Sequence, residues 1–136
     1  MVESDYVPDE STLDLIKKAF NAKNNAYARY SGFKVGAVAL TGDGSIFTGC
    51  NVENASYGLT MCAERVALFK AYSEGKRDIK TIVVIGETDD PISPCGACRQ
   101  VILELAPEAE IVLVNRDMTK ILKFKTAELL PYAFKL

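Results

Sequence analysis

At 136 residues the chain fits one domain, 1–136, around a single core, because domains most often run about 100–150 residues and a chain this long buries roughly two thirds of its unfolded surface. An apolar fraction of 49% with 25% charged residues excludes a disordered or collagen-like chain, and 16 basic against 18 acidic residues, net −2, supply no positive stripe for a nucleic-acid backbone. Histidine is absent, which removes every Ser-His-Asp or Cys-His nucleophilic device and leaves thiolates, carboxylates and amides as the transition-metal ligands.

The stretch Met1–Thr12 is polar and acidic, without the basic and apolar regions of a secretory leader, and no apolar run reaches membrane-spanning length. A cytoplasmic protein with reduced thiols is the expectation. Ser11 or Thr12 is placed to cap a helix whose apolar positions Leu13, Ile16, Phe20, Tyr27 and Tyr30 follow helical spacing, with an end expected near Ser31-Gly32. Val35–Leu40 and Ser45–Val52 then read as strands of a hairpin around Thr41-Gly42-Asp43-Gly44. After a loop over Glu53–Thr60, the spacing predicts a helix from Cys62 to Ser73, ended by Gly75. Thr81–Gly86 is a buried strand, Gly96–Leu105 a helix closed by Pro107, Ile111–Val114 and Ile121–Phe124 two further strands, and Ala127–Leu130 a last turn. A hairpin followed by alternating helices and strands is an α/β chain with a mixed sheet of about five strands and helices on its faces.

The cysteines carry the chemistry. Cys62 stands at one helix start, and Cys95 and Cys98 straddle the next in Pro94-Cys95-Gly96-Ala97-Cys98. Strand-to-helix junctions gather along one sheet edge, so these thiols can meet, and a helix N-terminus favours the thiolate that binds metal. Three thiolates with one open position describe a catalytic zinc site; a closed structural site recruits a fourth ligand, and Cys50 is the candidate. Glu64 lies two residues past Cys62, within reach of the open side, where a carboxylate can take and deliver the protons of an activated water.

Phe33-Lys34-Val35-Gly36-Ala37, Asn51-Val52-Glu53-Asn54-Ala55, Cys62-Ala63-Glu64-Arg65, Pro94-Cys95-Gly96-Ala97-Cys98-Arg99-Gln100 and Leu129-Leu130-Pro131 together resemble the cytidine deaminase family over nearly the whole chain. A cysteine where the related pattern H-x-E has histidine is similar to the small homotetrameric, three-cysteine branch. The resemblance implies a three-layer fold with helices on both faces of the sheet. It implies a pyrimidine-salvage hydrolase converting cytidine and 2′-deoxycytidine to uridine and 2′-deoxyuridine with release of ammonia, by attack of zinc-activated water on C4. Cys62, Cys95 and Cys98 would hold one zinc ion per chain, Glu64 would shuttle protons, and Arg65 would offset the excess thiolate charge. Phe33, Asn51, Glu53, Tyr57 and the Ala63 amide would bind the nucleoside, Asn51 and Glu53 at the ribose. Phe134 would close the pocket of a neighbouring subunit in a homotetramer.

Plainer readings stand beside these. Glu64 alone would be a solvated helix-face carboxylate, Asn51 and Glu53 turn formers, Phe33 and Phe134 packing residues, and Arg65 one half of a surface ion pair. A deaminase of another cytosine compound, such as blasticidin S, would share the metal motifs but lack the Asn-x-Glu pair and the arginine after Cys-Ala-Glu. A zinc-stapled binding module would need neither Glu64 nor an open position. Glu53 near the sugar also argues for a free nucleoside, because it would repel a phosphate there.

Overall fold

The computed structural model describes residues 6–136. The polar stretch over 1–12 therefore lies partly, at 1–5, outside the described residues. Helix α1 (Glu10–Lys23) precedes a hairpin of β1 (Val35–Thr41) and β2 (Ile46–Cys50); α2 (Ala63–Ser73), β3 (Ile79–Gly86), α3 (Gly96–Leu105), β4 (Glu110–Val114), β5 (Ile121–Lys125) and α4 (Thr126–Leu129) follow. A short 3-10 turn, Tyr57–Leu59, lies in the loop before α2. Among the described residues no helix is long and apolar enough to cross a membrane.

Helix α1 departs from the sequence reading at both ends. Its N-cap is Asp9, whose carboxylate accepts the Thr12 N–H at 2.8 Å and the Ser11 hydroxyl at 3.0 Å, so both expected caps lie inside the first turn. It stops at Lys23, well short of Gly32. Tyr27 instead donates its N–H to the Asn51 carbonyl at 2.9 Å and accepts the Glu53 N–H at 2.9 Å, a bridge that draws the chain off the helical path. Tyr27 and Tyr30 keep the apolar spacing without the helix and are about half exposed, at 47% and 48%. Strand β2 ends at Cys50 rather than Val52, whose pairing is confined to single bridges with Tyr27 and Met61.

The five strands form one mixed sheet in the order β2-β1-β3-β4-β5, with only β3 and β4 parallel. Side chains alternate between faces as strand geometry requires. Val38, Val83, Ile85, Val112 and Val114 pack under Leu15, Ile16 and Ala19 of α1. Ala37, Ala39, Ile82, Val84, Ile111 and Leu113 pack on the opposite face under Ala67 and Leu68 of α2, Cys98 and Ile102 of α3 and Leu129 of α4. The helices thus cover both faces, as expected. Two glycines set the spacing: a Cβ at Gly36 would stand 2.0 Å from the Ala19 carbonyl oxygen, and one at Gly49 would stand 2.4 Å from that of Ala63.

Strand directions place the site. Both β2 and β3 run antiparallel to β1, hence the same way as each other, so the chain leaves both at the same sheet edge. Helices α2 and α3, packed together on one face, begin from that edge.

Candidate active site

Cys62 is the N-cap of α2 and Cys95 the N-cap of α3, with Cys98 in the first turn of α3. Their three sulfur atoms lie within 4.8 Å of one another, Cys62 and Cys95 at 3.9 Å, and all four cysteines of the chain are free thiols. Ligand sulfurs at about 2.3 Å around one tetrahedral zinc ion stand about 3.8 Å apart, so the spacing fits the metal. It is nearly twice a disulfide bond length. Cys50, at the end of β2, is not in the group, which fits a three-sulfur site better than a closed four-sulfur one.

The thiols are electrostatically unequal. A hydrogen bond from Cys98, with support from Arg65, holds Cys62 down at about 5 against the effect of its own burial. The same hydrogen bond and burial push the Cys98 thiol well above the usual thiol range. Arg65 donates from Nη2 to Cys62 Sγ at 3.4 Å, while its buried Nε has no hydrogen-bond partner. Among the described residues Arg65 forms no ion pair with a carboxylate, contrary to the plainer reading. Glu64, in the first turn of α2, is only 4% exposed. Burial, reinforced by the neighbouring Cys62 sulfur, raises its carboxyl above the ordinary carboxylate range. A buried, proton-avid carboxyl next to three converging sulfurs is an arrangement suited to proton transfer, not a solvated helix face.

The remaining expected residues fall into four places. Glu53 and Tyr57 line an open cavity of about 320 Å³ together with Tyr30, Ser31, Asn54 and Thr60. Asn51 is buried, and its side chain clasps the start of β1, accepting the Val35 N–H at 2.9 Å and donating to the Phe33 carbonyl at 2.8 Å. It lies just beyond the end of β2. Phe33 is half-buried at the sheet edge, where a Cβ on Gly86 would meet its ring at 3.3 Å. Ala63 is fully buried as the first residue of α2. Phe134 is 70% exposed and lies over α3, its carbonyl accepting from Gln100 Nε2 at 3.3 Å.

Two residues went unassigned in the sequence reading. Ser31 was noted only as a helix end, yet its hydroxyl donates to the Glu53 carboxylate. Arg99, in the first turns of α3, ties the Pro94-Cys95 loop down by donating from Nε to the Pro94 carbonyl at 2.8 Å and from Nη1 to the Leu129 carbonyl. Its place one residue after Cys98 was the available signal.

Relatives match this chain along most of its length. A family model described as the cytidine and deoxycytidylate deaminase zinc-binding region matches residues 9–114. A cytidine deaminase of Halalkalibacterium halodurans is 54% identical over 120 residues, which span 88% of this chain and 91% of that protein. The crystal structure of cytidine deaminase from Burkholderia pseudomallei is similar with a TM-score of 0.87 at 53% identity, covering 90% of this chain and 98% of that one. That of cytidine deaminase from Mycobacterium tuberculosis gives 0.80 at 38% identity, covering 94% and 100%. With its sulfur cluster at the matched positions, the chain belongs to the cytidine and deoxycytidylate deaminase zinc-binding family.

Proposed function

We propose that this chain hydrolyses cytidine and 2′-deoxycytidine to uridine and 2′-deoxyuridine with release of ammonia. The observation that carries the reading is the buried Glu64 carboxyl beside three converging sulfurs at two helix starts. Cys62, Cys95 and Cys98 would hold one zinc ion per chain, and the chemistry it would supply there is Lewis-acid activation of the attacking water. Glu64, its proton affinity raised by burial, takes one proton from the attacking water and delivers it to N3 of the base, then passes that water's second proton to the departing amine, which leaves as ammonia. Arg65, resting on Cys62, offsets the negative charge that three thiolates bring.

Phe33 packs against the pyrimidine and the Ala63 amide orients it, while Tyr57 and Glu53 meet the nucleoside in the cavity they line. Asn51 serves the site first as the clasp that fixes Phe33, its second Nδ2 hydrogen being available to the sugar. The working form is a homotetramer in which Phe134 of one chain closes the pocket of another; the exposure of its ring supports this placement. Four free thiols suit a cytoplasmic setting. Incubating purified protein with cytidine tests the activity: uridine and ammonia should appear in equal amounts, and a zinc-loaded protein that releases no ammonia would overturn the proposal.

A further inference from the structure

The Glu53 carboxylate is engaged by its own chain on both oxygens. Oε1 accepts the backbone N–H groups of Tyr30 at 2.9 Å and Ser31 at 3.0 Å, and Oε2 accepts the Ser31 hydroxyl. The same Ser31 oxygen accepts the Phe33 N–H at 2.9 Å. Gly32, at φ +68°, turns the chain so that Phe33 comes back onto Ser31. Ser31 thus joins two groups assigned to opposite ends of the substrate.

We propose that Ser31 is a positioning residue that fixes the rotation of the Glu53 carboxylate and so sets how strongly the site reads the sugar hydroxyls. This rests on the reading of Glu53 as the sugar contact. The last torsion of a glutamate is soft, and two N–H groups on a single oxygen leave the other free to swing. The Ser31 hydroxyl removes that freedom. A carboxylate has about four acceptor positions, of which Tyr30 N–H, Ser31 N–H and Ser31 O–H fill three, leaving one for a sugar hydroxyl in the cavity. The hydrogen bonds from Ser31 also hold Glu53 below the usual carboxylate range, keeping it a charged acceptor. Ordering the carboxylate in advance lowers the entropy lost on binding.

The test compares wild type, Ser31→Ala and Ser31→Thr on cytidine and on 2′,3′-dideoxycytidine, which lacks both sugar hydroxyls, with zinc content measured in each protein. Ser31 is solvent-exposed, so removing its hydroxyl leaves the core intact. Ser31→Ala should lose about tenfold in kcat/KM on cytidine, mostly through KM, and much less on the dideoxynucleoside, with one zinc retained. Ser31→Thr keeps the hydroxyl and should keep the wild-type preference. A wild-type preference that persists undiminished in Ser31→Ala, an equal loss on both substrates, or a Ser31→Thr enzyme matching Ser31→Ala would each overturn the proposal while leaving the sugar reading intact. A wild type with no preference for cytidine would remove that reading and the proposal with it.

Discussion

Arg65 faces a sulfur, and this decides what its removal should do. Three thiolates on a divalent zinc total −1, and a hydrogen bond from a cation to one of them lowers the charge the metal feels. Arg65→Ala should therefore give up zinc to a chelator about tenfold faster and move the pH–rate profile to higher pH, since a positive charge has left the site. Unchanged zinc release together with an unchanged profile would contradict that role. At this scale the sequence was uneven in what it revealed. Cys62, Glu64, Cys95 and Cys98 were legible because their spacing puts chemistry at helix starts. Ser31 and the Asn51 clasp were not, because a loop residue bonded to distant backbone leaves no periodic mark in the chain.

Helix α2 starts at the Cys62 thiol and holds the buried Glu64 carboxyl in its first turn, so its seating on the sheet controls the site. Gly49 of β2 allows that seating: a Cβ there would lie 2.4 Å from the Ala63 carbonyl oxygen and 2.7 Å from the Ala67 nitrogen, both backbone atoms of α2. Gly49→Ala should destabilise the protein by about 1–3 kcal/mol in denaturant unfolding and weaken zinc retention, as overpacking does. Gly58→Ala, where an added Cβ meets nothing within 4 Å, should stay within about 0.5 kcal/mol of wild type. Equal stability of the two variants would show that α2 can shift without cost. Among the elements, α3 was read with its observed bounds, whereas α1 was read too long. Apolar spacing at Tyr27 and Tyr30 continued past Lys23, but the helix stops at the Asn24 cap and Tyr27 pairs with the 51–53 segment instead.

For the whole molecule, the mixed sheet is what brings residues 62 and 95–98 together: β2 and β3 share a direction, so both following helices start at one edge. That direction was inferable from a hairpin followed by alternating elements; assembly was inferable only from resemblance. Phe134, exposed over α3, tests it. Deleting residues 134–136 should raise KM or lower turnover with zinc retained, by roughly the 1–3 kcal/mol of stacking on a base. Mixing that truncated chain with an intact Glu64→Gln chain should restore part of the activity through shared pockets, and a fully active monomer in sedimentation would contradict this. The most direct measurement of the central claim is zinc per chain and ammonia release from cytidine, determined side by side for wild type and Glu64→Gln. The account predicts one zinc in both proteins and a hundredfold to ten-thousandfold slower release in the variant, the range typical of general acid–base catalysis. Near-wild-type release by Glu64→Gln, or full activity in metal-free wild type, would contradict it.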